Sequence, residues 1–432
     1  MEWIFGRLVS PFAGARAWIF RYRYTCAPRH YLKPAMFERL ERVPDDPILG
    51  LMAAFRADSD PKKVDLGVGV FRDAKGDTPV LDAVRKAERS VLERQVSKTY
   101  VAPAGNAAFN QAMEKLVFGA GHPLFAAERV RSIQGPGGCG ALRLGAELVR
   151  LAGAQATVHV STPTWANHVP LMTGSGLKLG RYPYYEPARG LINFGAMCQA
   201  LDALPAGDVV LLHASCHNPT GADLSQEQWR ELLPLFRRRG LLPFIDMAYQ
   251  GLGSGQDEDA FGIRLFAAEL PELLVAVSCS KNFGLYRERV GVLHVVTDSA
   301  AIGLAALSHE VRVARSIYSM PPDHGAAIVN EILGNEALRA LWAQELGVMR
   351  ARINGLRRQL VAQLRSACPA RDFGFIAQQQ GMFSLLGLSV EQVKRIRAER
   401  HVYMTDDSRI NIAGLREDNL EYFAQSVAHV LG

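Results

Sequence analysis

The stretch Leu273–Gly291 reads LLVAVSCSKNFGLYRERVG, and the rest of the chain is understood outward from it. Its opening LLVAV is an unbroken apolar run, the pattern of a strand covered on both faces. Lys281 follows within a few residues, Arg289 comes eight residues later, and a glycine-containing turn lies between them. A second apolar run, VGVLHVV (290–296), begins immediately afterwards. A lysine at the end of a core strand is either a solvated loop charge or a chemical reagent. The other strand ends decide which.

Three more runs share the same character: ATVHVS (156–161), VVLLHA (209–214) and LLPFID (241–246). Amphipathic helical patterns alternate with them, such as GALRLGAELVRLAG ahead of the first and SQEQWRELLPLFRRRG ahead of the third. This alternation predicts an α/β fold, a mostly parallel sheet flanked by helices. From about Gly347 the pattern changes. A long charged helix, MRARINGLRRQLVAQLRSA, leads through FGFIAQQQGMFSLLGL and another helix to HVYMTDDSRINIAGL. The expected organisation is a large domain over 79–346 and a smaller split α+β domain made of 36–78 and 347–432, with residues 1–35 an extension outside the fold.

The composition of the 432 residues, 48% hydrophobic and 21% charged, is that of a soluble globular chain. The net charge of +6 is concentrated at the amino end, where Arg7, Arg16, Arg21, Arg23, Arg29 and Lys33 face only Glu2. The remainder is close to neutral, so the basic balance gives no argument for a nucleic-acid partner. That segment has no apolar run long enough to span a bilayer, and no membrane association is expected. It is an organellar leader, a surface-lying amphipathic piece, or translated sequence upstream of a natural start at Met36; the last is preferred because MFERLERVPDDPILGL opens a well-formed domain. The six cysteines form no CxxC and no regular spacing, which argues against a zinc site or a disulfide scaffold and for a reducing, cytoplasmic compartment.

Ligands of open α/β sheets sit at the carboxyl ends of the strands. There, ATVHVS is followed by Trp165 and His168, VVLLHA by the turn SCHNPTG with Asn218, LLPFID ends in Asp246 ahead of Tyr249, and LLVAVS leads to Ser280 and Lys281. Upstream, QGPGGCGALRLGAE sets glycines 135, 137, 138 and 140 at a helix entry, where free N–H groups and the helix dipole can hold a phosphate. It is not a Walker loop, lacking GK[ST], nor is it read as a GxGxxG following a strand. Plain alternatives exist: turn glycines at a helix entry, Asp246 as a turn cap, Trp165 as core. His213 and His217 lie in strand and turn rather than on one helical face, so no metal is expected. Arg237, Arg238 and Arg239 close a helix ahead of Gly240, where cations suit the helix dipole. Taken together, a phosphate cradle, a carboxylate, a phenol, an amide, an indole and a lysine match the needs of pyridoxal 5′-phosphate.

At these residues the sequence resembles the class I (subgroup alpha, fold-type I) aminotransferases that act on aspartate and aromatic amino acids. The motifs are DPILGL, DLGVGV, GGCGALR, PTWANH, CHNPTGADL, DMAYQG, SCSKNFGLYRERVG, SIYSMPP, GMFS and SRINIAG, in order from about Met36 to Gly432. The resemblance implies that Lys281 joins the cofactor as a Schiff base and moves the proton between substrate Cα and cofactor. It implies that Asp246 pairs with the pyridine nitrogen, with His168 supporting it, that Asn218 and Tyr249 bond the ring oxygen, and that Trp165 stacks on the ring. The phosphate falls to Gly138, Cys139, Ser278 and Arg289, with Tyr100 from a partner subunit. Arg409 takes the substrate α-carboxylate, with Gly69, Trp165 and Asn218 nearby, and Arg315 of a second subunit takes a distal carboxylate. A homodimer with shared sites is thereby implied.

Cys139 stands where relatives usually carry Thr or Ser, and Met320 replaces a common Asn or Ser. The expected reaction is transfer of an amino group to 2-oxoglutarate from aspartate, aromatic amino acids or both, since GVGVFRD is aspartate-like and LLHASCHNPTGADL aromatic-like. A binding or regulatory protein that has lost the reaction is disfavoured by the presence of Lys281 and Asp246; a decarboxylase or lyase is disfavoured by Arg409 and Arg315 together.

Overall fold

The computed structural model describes residues 36–43, 47–153 and 155–432, so the expectation for residues 1–35 lies outside the described residues. The chain divides into two compact units, Met1–Asp45 and Asp46–Gly432, and the sheet and cavity described below belong to the second. The expected apolar runs all become strands. The central sheet has seven: β1 (Val130–Pro136), β2 (Thr157–Thr162), β3 (Lys178–Pro183), β4 (Val209–His213), β5 (Leu242–Met247), β6 (Leu273–Ser278) and β7 (Val290–Val296). Their spatial order is β1-β7-β6-β5-β4-β2-β3. β7 alone runs against the direction of the other six strands. Strands β6 and β7 are buried at every residue, which is why their sequences show no polar alternation.

Two strands carry no apolar run. Edge strand β3, KLGRYP, is largely open on one side, and its Gly180 leaves room for His159, whose Nδ1 would lie 2.2 Å from an added Cβ. Strand β1, VRSIQGP, buries Gln134, which donates to the Pro322 carbonyl and accepts from the Asn106 N–H. Its presence corrects one expectation. The glycines at 135–140 do follow a strand, because β1 runs straight into helix α1 (Gly137–Ala152). Polar side chains satisfied inside the protein hid that strand from a hydrophobicity pattern.

This topology gathers the chemistry. The carboxyl ends of β1, β2, β4, β5 and β6 and the amino end of antiparallel β7 share one edge of the sheet. Registers pair His213 with Asp246, Asp246 with Ala276, and Gly291 with both Ser278 and Gly135. Helix α2 (Gln226–Arg239) starts with a Ser225–Gln228 capping box and ends at Gly240 in the left-handed conformation. Arg237 and Arg238 pair with Glu269 and Asp202, and Arg239 bonds the Leu204 carbonyl, all structural contacts.

Helix α3 (Ala300–Ile317) packs on β1 and α1, and the 32-residue helix α4 (Glu336–Ala367) lies further along the chain. Trp342 of α4 stacks on Phe283 at 4.4 Å, and its indole N–H donates to the Asn282 carbonyl at 2.8 Å, pinning the residue after Lys281. Beyond α4, Phe383–Leu385 pairs antiparallel with Arg409–Asn411, and Val64–Asp65 pairs parallel with Val402–Tyr403. Asn411 ties these pieces together, donating to the carbonyls of Val68 and Val70. No helix among the described residues is long and apolar enough to cross a membrane.

Candidate active site

A cavity of about 260 Å³ opens at the chemistry-bearing edge of the sheet. Lys281 projects into it from the turn after β6, its ammonium 5.4 Å from the centre of the Tyr249 ring. Burial pushes the amine below its usual lysine range; Asp246 and Cys139 partly hold it up, and Arg289 adds to the fall. An amine so depressed is closer to the neutral form that a nucleophile or base requires.

Asp246, next to last in β5, is buried and faces the same cavity. Burial alone would raise its pKa, but the hydrogen bond and charge of His168, with nearby Lys281, outweigh it and hold the carboxyl below the usual range. His168 Nε2 lies 3.0 Å from Asp246 Oδ2, and its Nδ1 lies 2.8 Å from Thr164 Oγ1. Because an ionised carboxylate only accepts, Nε2 donates to Asp246. Thr164 in turn stands 3.4 Å from His213 Nε2. The rings of Trp165, His168, His213 and His217 then follow one another at 5.2, 5.1 and 4.1 Å. Burial brings His213 down to about 3, so it is neutral at ordinary pH. A carboxylate held toward its ionised form and backed by imidazoles suits a protonated ring nitrogen.

At another part of the cavity, β1 passes into α1. A Cβ on Gly137, whose φ is +74°, would lie 2.2 Å from Arg289 Nη2, and one on Gly138 would lie 3.0 Å from Ser278 Cβ. The first-turn N–H groups of a sixteen-residue helix, a guanidinium and two serines thus meet where only glycine fits. Arg289 is itself held by Ser280 Oγ and the Tyr286 carbonyl, both accepting at 3.2 Å. This cradle fits a phosphate ester. Cys139 lines it too, its sulfur accepting from Asn167 Nδ2 at 3.5 Å.

Arg409, on the strand Arg409–Asn411, lines the cavity with its guanidinium 4.6 Å over the Phe383 ring. It donates to Asn218 Oδ1 at 3.2 Å and to the Gly67 carbonyl at 2.8 Å, while Nε has no protein partner. A Cβ on Gly69 would come within 2.8 Å of Phe383, so this approach too requires glycine.

One cavity therefore brings together Gly69, Gly138, Cys139, Trp165, Asn218, Asp246, Tyr249, Ser278, Lys281, Arg289 and Arg409, with His168 buried behind Asp246. Tyr100 and Arg315 do not line it. Tyr100 is 91% exposed, and Arg315 is exposed at the end of α3, bonded to Ser319. Met320 does not line it either. Sequence reasoning missed Phe383 and Ile48 as lining residues and weighed His213 only as a metal ligand. His213 was findable from its place at a strand end; Phe383 had only its position in GMFS. Among the described residues no group of His, Cys, Asp and Glu could hold a metal ion.

An α/β sheet with a buried lysine, an ionised aspartate and a phosphate cradle on one edge defines an enzyme built around an aldehyde cofactor with a phosphate tail. The chain belongs to the class I and II aminotransferases, whose family model matches residues 61–427. It is 47% identical over 394 residues to an aromatic-amino-acid aminotransferase of Pseudomonas aeruginosa, covering 91% of this chain and 98% of that one. It is 45% identical over 396 residues to an aspartate aminotransferase of Escherichia coli, covering 92% and 100%. Its fold matches an aromatic-amino-acid aminotransferase of Burkholderia pseudomallei covalently bound to pyridoxal phosphate, with a TM-score of 0.90, 44% identity, and 92% and 100% of the two chains covered. The chain is thus a pyridoxal-phosphate-dependent aminotransferase.

Proposed function

We propose that the cavity transfers amino groups between 2-oxoglutarate and both aspartate and aromatic amino acids. The observation that carries this reading is the depressed amine of Lys281 beside ionised Asp246, in a cavity also lined by two guanidiniums, Arg289 and Arg409. When bound, pyridoxal phosphate supplies an aldehyde that condenses with amines and a ring that accepts the electrons released as the substrate loses its Cα proton. Gly138, Cys139, Ser278 and Arg289 would hold the phosphate. Trp165 would cover the ring, Asn218 and Tyr249 would bond its oxygen, and Asp246, oriented by His168, would keep the ring nitrogen protonated. Lys281 would anchor the cofactor and its amine would move the proton at substrate Cα. Arg409 orients the substrate by its α-carboxylate, with Gly69 leaving room for the approach. Relatives named for aspartate and for aromatic amino acids match at similar identity, which supports dual use.

Tyr100 and Arg315 act in the cavity of a second copy. Their exposure here supports this, as do Leu92 and Val96, large apolar side chains left exposed close to Tyr100 in the chain. The enzyme is accordingly a homodimer with shared sites. Of the small domain expected over 36–78 and 347–432, residues 46–78 and 347–432 lie in the second compact unit, and their grouping is supported by the strand pair that joins Val64–Asp65 to Val402–Tyr403. Free Cys139, Cys198, Cys216, Cys279 and Cys368 support a reducing, cytoplasmic location.

The test compares aspartate, tyrosine and phenylalanine as donors for the native enzyme and for Arg315→Leu. The variant loses roughly 30- to several-thousand-fold in kcat/KM for aspartate, as expected when one partner of a desolvated charge pair is removed, and far less for phenylalanine. Equal losses would assign Arg315 to the interface or the cofactor.

A further inference from the structure

Helix α4 buries an arginine that no part of the reaction described above uses. Arg357 is 1% exposed, and none of its hydrogen bonds goes to a carboxylate. Its donors go almost entirely to backbone. Nη1 reaches the Ile376 carbonyl at 3.0 Å and Ser384 Oγ at 2.7 Å. Nε reaches the Gly381 carbonyl at 3.2 Å, and Nη2 reaches the carbonyls of Gln380, Gly381 and Phe383 at 3.0, 2.8 and 2.6 Å. A buried guanidinium is costly to desolvate, and this one keeps its charge because its N–H groups are all directed at oxygens. Burial lowers its pKa to about 10, with Cys216 and Asp223 opposing the fall, so it remains a cation at neutral pH.

The segment so gripped faces the cavity. Phe383 lies under the Arg409 guanidinium at 4.6 Å and edge-on to Tyr249 at 6.2 Å, and its strand pairs with the one bearing Arg409, Leu385 opposite Arg409. The other side of the grip touches the turn that carries Asn218. The Gln380 N–H donates to the Gly221 carbonyl at 2.7 Å, a Cβ on Gly221 would lie 2.3 Å from the Phe383 carbonyl and 3.0 Å from Arg357 Nη2, and a Cβ on Gly381 would lie 2.3 Å from Cys216 Cβ. Asn218 accepts from Arg409.

We infer that Arg357 is a positioning residue for the substrate carboxylate, clamping residues 376–384 so that Phe383, Asn218 and Arg409 keep the spacing a bound carboxylate needs. This rests on the reading of Arg409 as the α-carboxylate residue. A planar fork distributed over five oxygens fixes a loop in a way a single ammonium cannot, so Lys at this position keeps the charge and loses the placement.

The experiment uses the holoenzyme and two variants, Arg357→Lys and Ser384→Ala, the second removing one partner of the fork without altering charge. Steady-state constants with aspartate and with phenylalanine are measured together with calorimetric binding of maleate, an unreactive dicarboxylate, and the absorption spectrum of the bound cofactor. Misplacement of a binding group appears in KM before kcat, so Arg357→Lys raises KM for both donors and the maleate Kd by about ten-fold or more, with kcat within about three-fold and the spectrum unchanged. Ser384→Ala shifts both constants the same way by a few-fold. If Arg357→Lys does not fold, Ser384→Ala decides: unchanged KM and maleate affinity in a folded variant overturn the inference. A fall in kcat and thermal stability at constant KM overturns it as well, since that is what a purely structural arginine would give. A native holoenzyme that neither binds maleate nor turns over either donor would defeat the carboxylate reading of Arg409 and this inference with it, whereas normal native behaviour with unresponsive variants defeats Arg357 alone.

Discussion

Asp246 owes its charge to what stands behind it. Burial works against ionisation, and the hydrogen bond from His168, with the nearby lysine, reverses the outcome. A group whose folded pKa is depressed is ionised at every pH above that value, so Asp246 contributes no acid limb to the activity profile near neutrality. Asp246→Asn keeps the shape and removes the charge. It is expected to lower kcat by at least about a hundred-fold, the scale of losing one preorganised electrostatic contact, while the variant stays folded by circular dichroism. A rate near that of the native enzyme would make Asp246 a turn cap. Asp246, Lys281 and Trp165 were legible in the sequence because each sits within a few residues of a strand end, where an α/β sheet puts its chemistry. Phe383 was not, because its role arises from contact with Arg409 and with the Gly69 backbone, residues remote from it in the chain. Tyr100 and Arg315 present a different case, since one copy of the chain leaves them exposed.

Strands and helices carry the phosphate chemistry through one junction. β1 feeds α1 without a loop, so the helix start, the glycines and Arg289 on the threshold of β7 are fixed by sheet register, with Gly291 opposite Gly135. Gly137→Ala forces a side chain 2.2 Å from Arg289 Nη2 at a φ of +74°, where L-residues are strained. Spectroscopic titration of the apoenzyme is expected to show at least about ten-fold weaker pyridoxal phosphate binding, with the fold retained because the clash is local to the cradle. Unchanged affinity would place the phosphate elsewhere. The five apolar strands could be read because both their faces are covered, and their ends fall within two residues of the runs LLVAVS, VGVLHVV and their companions. Strand β1 escaped that reading because Ser132 and Gln134 are buried with internal partners, a pattern periodicity cannot separate from loop.

Across the whole molecule, buried neutral histidines contribute a loss of stability in acid. Burial holds His213 and His294 at about 3, against about 6.5 for histidine in an unfolded chain. As pH falls through 6.5 the unfolded chain takes up protons that the folded one refuses, so this stability is full above that value and drains toward pH 3. Buried Asp223 and Glu310, raised to about 7 and about 9, act in the opposite sense, so the ring is isolated by comparison: between pH 7 and pH 4.5 the thermal midpoint of the native protein should lose ground to that of His294→Phe, which removes one such group away from the cavity. The same pH trend in both proteins would contradict the burial of His294 as a neutral ring. The central claim concerns Lys281. Borohydride reduction of the intact holoenzyme, followed by digestion and mass spectrometry, should find one pyridoxyl group per chain, on Lys281 and no other lysine. A label on a different lysine, or none on Lys281 in an active preparation, would contradict the account.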